Sequence, residues 1–131
     1  MAATMHVEVV SAEKQLLSAD ITELYARSIE GEIGILPGHI PALVALDIAP
    51  VKVVFEDGHD ELVAVHNGFL YVDRGKVIVL ADTAELASEI DADRAERKVR
   101  ELEQKLETEE DAAVRASLTK QRIRLDVAGR R

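Results

Sequence analysis

Val77-Ile78-Val79-Leu80-Ala81-Asp82-Thr83-Ala84-Glu85 is where this 131-residue chain changes its pattern, and the change decides the fold. Upstream, apolar residues recur at every second position or in short β-branched runs, as in His6-Val7-Glu8-Val9-Val10 and Val51-Lys52-Val53-Val54-Phe55, which is the period of strands. Turn-forming residues punctuate the runs at Gly31, Gly34, Pro37-Gly38, Pro41, Asp57-Gly58, Asn67-Gly68 and Arg74-Gly75. The spacing predicts strands over roughly 5–11, 15–30 with a bend, 33–37, 43–46, 48–56, 60–66, 68–73 and 76–81, an arrangement that suits a sandwich or barrel. Downstream of Asp82, Ala, Glu, Lys, Arg and Leu dominate, Pro does not recur and Gly is absent until Gly129, so the second part is helical. Ser88 is placed to cap the first helix, with Glu89, Asp91 and Asp93 in its first turns, where the helix dipole favours acids. Ala95, Val99, Leu102 and Leu106 form one apolar stripe; Val114, Leu118 and Leu125, with Ala113, form another beyond the polar run Glu107-Thr108-Glu109-Glu110-Asp111. Two stripes with a polar break read as a helical hairpin, a single helix to residue 127 being the alternative. The division expected is residues 1–86 as β-structure and 87–131 as helices, an α+β chain.

A net charge of -9 argues against nucleic acid or anionic lipid as primary partners, since both require a basic surface. Without Cys there is no disulfide framework, thiolate cluster or thiol nucleophile, and a reducing compartment is compatible. The opening MAATMHVEVV lacks the basic start of a signal peptide and no apolar run is long enough to span a bilayer, so direct membrane insertion is not expected. The acidity is not uniform: the end of the chain carries Arg115, Lys120, Arg122, Arg124, Arg130 and Arg131 against Asp126 alone. Such a segment complements its own helix dipole and the acidic first helix, or docks reversibly on an acidic surface or a polyphosphate.

Candidate chemistry is sparse. His6, His39, His59 and His66 show no helical metal-ligand spacing, so no metal is expected. A Ser-His-Asp set is open on residue types, but no G-x-S-x-G elbow is present, and no catalytic residue is assigned. The stretch Glu30-Gly31-Glu32-Ile33-Gly34-Ile35-Leu36-Pro37-Gly38-His39 lacks the Gly-Lys-Ser/Thr of a phosphate loop and precedes strand-like sequence. Its glycines and prolines make instead a stiff protrusion, either an ordinary connection or a docking loop.

That stretch, continued through Ile40-Pro41, resembles the signature of the epsilon subunit of bacterial F-type ATP synthases. Val9-Val10-Ser11-Ala12-Glu13, Asn67-Gly68-Phe69-Leu70-Tyr71-Val72 and the opening Val77–Glu85 stretch resemble the same family, in order along most of the chain. The resemblance implies an antiparallel β-sandwich of about ten strands followed by an antiparallel two-helix hairpin. It implies a non-catalytic central-stalk subunit at the cytoplasmic face of the inner membrane. The sandwich would pack on the gamma subunit, and Glu32 and His39 would touch the c ring. The hairpin would switch between a compact and an extended state and restrain ATP hydrolysis, with Arg115, Lys120 and Arg122 facing the beta subunit of the catalytic alpha/beta assembly.

Ile90-Asp91-Ala92-Asp93-Arg94-Ala95 fits the I/L-D-x-x-R-A motif with which some members of that family bind ATP. By the same resemblance Glu85, Ile90, Asp91, Arg94, Ala95, Lys120 and Arg124 would contact regulatory ATP, with no cofactor otherwise required. Physically, Arg94 suits a phosphate and Asp91 a ribose or base edge; the bland alternative is an ion pair between them. Lys120 stands where the family carries Arg, a point charge in place of a bidentate fork. A rival function is a free-standing nucleotide-sensing module, and a more distant one is an enzyme built on a histidine and carboxylates.

Overall fold

The computed structural model describes residues 3–129, so Arg130 and Arg131 lie outside the described residues. Seven strands come first: β1 (Met5–Ser11), β2 (Gln15–Ser28), β3 (Gly31–Ile35), β4 (Ala42–Leu46), β5 (Ala49–Phe55), β6 (Asp60–Asp73) and β7 (Lys76–Leu86). A 3-10 turn at Ala87–Glu89 leads to α1 (Ala92–Thr108) and α2 (Ala112–Val127). The strand count is seven rather than about ten because β2 and β6, each 14 residues long, bend and serve more than one partner. β6 pairs with β5 through its first part and with β4 through its second, for example Val51↔Val63 and Ala45↔Phe69. All pairings are antiparallel except β1 with β7, which is parallel from His6↔Lys76 to Ser11↔Ala81. The ladders β1–β7, β7–β6, β6–β5, β5–β2 and β2–β1 close on themselves, so the principal strands have partners on both sides and few edges are left for stray pairing.

Period-two patterning fills the interior. Met5, Val7 and Val9 of β1 and Val77, Val79 and Ala81 of β7 turn inward, meeting Ile21, Leu24, Ile35, Val53 and Leu70 in one core. The Arg74-Gly75 connection is a two-residue loop with both φ angles positive, 43° and 78°, which matches the twist of the strands it joins.

Asn67-Gly68, read from sequence as a break between strands, is instead a corner inside β6. Val63 and Val65 face the core before it, and Leu70 and Val72 after it, so the inward phase slips by one residue. β7 slips with it: Val79 and Ala81 are core residues, then Ala84 and Leu86. At the corner Asn67 has φ 63° and Gly68 φ 134°. The backbones approach so closely that a Cβ on Gly68 would lie 2.0 Å from the Leu80 carbonyl oxygen.

The hairpin is confirmed, and its first cap is corrected. Asp91, not Ser88, caps α1: its Oδ1 accepts a hydrogen bond from the Arg94 amide at 3.0 Å. Ser88 lies in the 3-10 turn, and Ile90 is extended with ψ 125°, which postpones the helix to Ala92. α1 ends at Thr108, and Asp111 caps α2 by accepting from the Ala113 amide at 2.8 Å. Ala95, Val99, Leu118 and Leu125 close a small core of their own between the helices. The long-range ion pair Arg124–Glu85 at 2.7 Å ties the hairpin to the sandwich, and Lys14–Glu89 at 2.7 Å fixes the 3-10 turn that leads into it.

Candidate functional site

Two surfaces are built on β6 and β7, one on each side of the Gly68 corner. Before the corner, the outward residues of β6 lie under α2. There, His66 (paired with Thr83 across the ladder), Glu85, Arg94 and Lys98 of α1, and Lys120 and Arg124 of α2 line a cleft of about 400 Å³. Arg124 is only 15% exposed; its Nε donates to Glu85 Oε2 at 2.7 Å and its Nη1 to Gln121 Oε1 at 2.9 Å. Because one cation here is spent on Glu85, the net character of the cleft comes from Arg94, Lys98 and Lys120. Lys98 is shared with Glu101 at 3.7 Å, whereas Arg94 and Lys120 make no ion pair among the described residues.

His66, 9% exposed, is a buried polar residue of the sandwich, and its Nε2 has no hydrogen-bond partner among the described residues. Burial pushes its imidazole below the ordinary range; Glu85 opposes that, and Lys120 and Arg124 add to it. The ring is therefore neutral near pH 7.

The structure brings together Glu85, Arg94, Lys120 and Arg124 of the sequence-derived set. The other three lie elsewhere: Asp91 spends a carboxylate oxygen on the helix cap, Ala95 is sealed in the hairpin core and Ile90 is in the extended link. Asp91 meets Arg94 through the latter's backbone amide; the side chains make no ion pair. Arg115 pairs with Glu110 beside it, and Arg122 lies 3.9 Å from Glu103 across the hairpin. Both are exposed, whereas Lys120 is half-buried on the cleft side. Glu32 is exposed on β3 opposite Arg27, and His39 lies beyond β3 with its Nδ1 2.7 Å from the Ile40 carbonyl. Sequence reasoning missed His66 and Lys98 as lining residues. The placement of Lys98 four residues after Arg94, on one face of a helix, was a usable signal.

Beyond the corner, the opposite alternation sets apolar side chains outward. Cross-strand register aligns Val10, Leu80, Phe69 and Ala45 in one row, and Ile78, Tyr71 and Leu43 in the next. Leu43 is 68% exposed, Phe69 and Leu80 51% each, and Tyr71 43%. A solvated antiparallel face normally carries polar residues, so a contiguous apolar face marks a docking surface. A second apolar group, Ile29, Leu36 and Ile40, is exposed around the protrusion that carries Glu32 and His39.

A Ser-His-Asp set does exist in space: Ser18 Oγ lies 3.1 Å from His6 Nε2, and His6 Nδ1 3.1 Å from Asp20 Oδ1. It sits on an open strand face, with Asp20 72% exposed and Glu8 3.8 Å from the same Nε2, so a developing oxyanion would have no water-excluded site. No group of three metal-ligating side chains occurs among the described residues. Nor is any described helix long and apolar enough to cross a membrane.

The comparisons agree with this architecture. The family described as "ATP synthase, Delta/Epsilon chain, beta-sandwich domain" matches residues 4–87. An ATP synthase epsilon chain of Streptomyces avermitilis is 46% identical over 99 residues, 76% of this chain and 80% of that one. One of Streptomyces coelicolor is 42% identical over 112 residues, 86% and 87% of the two chains. The fold is shared with a chain in the cryo-EM structure of Euglena gracilis mitochondrial ATP synthase (OSCP, F1 and c-ring), with TM-score 0.74 and 23% identity over 97% of this chain and 78% of that one. It is shared too with a chain of the central stalk/c-ring structure from Tetrahymena thermophila mitochondrial ATP synthase, with TM-score 0.58 and 16% identity over 96% and 94%. From the sandwich match and the identity with bacterial relatives, this chain belongs to the ATP synthase delta/epsilon chain family.

Proposed function

We propose that this chain is a non-catalytic rotor subunit of a proton-translocating F-type ATP synthase, held peripherally at the cytoplasmic face of the inner membrane by its partners. The observation that carries the reading is the apolar face of Leu43, Phe69, Tyr71 and Leu80, which serves as the gamma-docking surface. The protrusion with Ile29, Glu32, Leu36, His39 and Ile40 meets the c ring, and the hairpin, through Arg115, Lys120 and Arg122, faces the alpha/beta subunits and restrains hydrolysis. The two mitochondrial assemblies that hold chains of this fold, one of OSCP, F1 and c-ring and the other of central stalk and c-ring, support these partners. Replacing both Phe69 and Tyr71 by Asp leaves the fold intact, because neither side chain enters the core. Loss of two aromatic anchors lowers affinity for a gamma–c-ring assembly about a hundredfold or more. Pull-down at graded concentrations measures this, and wild-type assembly of the double variant would sink the reading.

The cleft supports a second role, regulatory binding of ATP. Arg94 and Lys120, which make no ion pair among the described residues, present positive charge to a phosphate chain, and Glu85 with Arg124 closes one wall. Calorimetric titration of the full chain is expected to show ATP binding that Arg94→Ala removes. Identical isotherms for the two proteins would exclude this use of the cleft.

A further inference from the structure

The motif that suggested a nucleotide lies at the start of the hairpin, yet the unsatisfied buried group beside the cleft belongs to the sandwich. His66 lines the cleft that Arg94, Lys98 and Lys120 make electropositive, and its Nε2 is buried without a hydrogen-bond partner among the described residues. A buried polar atom left unpaired is costly, so its retention points to a partner that arrives with a ligand. An anion is the chemistry that fits: a neutral imidazole protonated at Nε2 donates to an oxygen, and an imidazolium does so more strongly.

We propose that His66 is the sandwich-side ligand of the phosphate chain of a nucleoside polyphosphate held in this cleft, clamped from the other side by Arg94 and Lys120. This assignment rests on the nucleotide role given above. It adds a link to pH. Without ligand the ring is neutral, held so by its burial and by Lys120 and Arg124, with Glu85 of β7 as the opposing charge. Lys98 of α1, shared with Glu101, also faces the cleft, as does Arg94. Phosphate oxygens brought to Nε2 reverse the balance and raise the ring's pKa, so binding takes up a proton. Affinity accordingly strengthens as the pH falls through the liganded pKa and levels off below the unliganded one.

The test titrates the full chain with ATP and with inorganic tripolyphosphate at pH 6 and pH 8, in parallel with His66→Gln, His66→Phe and Arg94→Ala. Gln retains an N–H donor but does not titrate; Phe retains the volume and loses the donor. The expected results are about tenfold weaker binding for the Phe variant, near recovery for Gln at pH 8, and proton uptake present in wild type and absent in Gln. Comparison with Gln also subtracts titration of the ligand's own terminal phosphate, whose second pKa is near 6. If the Phe variant binds as wild type while Arg94→Ala does not, His66 is no ligand and the nucleotide site stands. If wild type binds neither probe, both readings fall.

Discussion

Gly68→Ala is expected to destabilise the chain by about 4 kcal/mol or more, a large fraction of the about 5–15 kcal/mol by which domains are ordinarily stable. The added Cβ would lie 2.0 Å from the Leu80 carbonyl oxygen and 2.7 Å from Ala81 Cα, both backbone atoms, so relief requires β6 and β7 to part at their corner. The φ of 134° adds a strain that side-chain-bearing residues avoid. Gly58→Ala is the matched control: its φ is 91°, but nothing lies within 4 Å of the new Cβ, and the cost is confined to about 1–2 kcal/mol of backbone strain. Urea denaturation of the two variants measures the difference. A Gly68 variant within about 1 kcal/mol of the Gly58 variant would show that the corner yields at little cost.

Ending the chain after Glu89 is expected to leave a sandwich that unfolds cooperatively, while ATP hydrolysis by a complex assembled with it rises several-fold. The sandwich core contains no hairpin residue, and the hairpin closes its own with Ala95, Val99, Leu118 and Leu125. Truncation therefore removes the Arg124–Glu85 pair and the cover over Ala64 and His66, and keeps the Lys14–Glu89 pair. The loss is about 1–2 kcal/mol, a fall in Tm of roughly 10 °C, followed by circular dichroism against the full chain. A truncated chain without a cooperative transition would show that the hairpin is integral to the fold. A folded one that leaves hydrolysis unchanged would refute restraint by the helices.

The sandwich was legible because Met5, Val7, Val9, Val77 and Val79 alternate cleanly with outward residues, and one buried face fixes register. The hairpin was legible from its stripes, although only Leu118 and Leu125 of the second stripe are fully buried, and Val114 is half-covered. The helix start was misplaced because Ser88 and Asp91 are both competent caps; the extended Ile90 between them decides in favour of the second. Asn67-Gly68 misled for a related reason. Asn-Gly is a strong local turn signal, but here the neighbouring residues remain paired to β7 and the dipeptide bends a strand without ending it. The phase slip at that point hid His66 as well. Which side of the sheet it faces, and that a helix distant in sequence covers it, are tertiary facts without a local signature.

The corner has a mechanical consequence. His66 and Phe69 are three residues apart, about 10 Å along one strand, yet one belongs to the cleft and the other to the apolar face. Both are braced by β7, through His66↔Thr83 and Phe69↔Leu80, in one register on either side of Asn67, which the ladder skips. A load applied at the apolar face thus reaches the floor of the hairpin's seat through a short, doubly stranded strut rather than a slack tether. Angular displacement of a partner on that face would turn the seat with it, as a rigid lever.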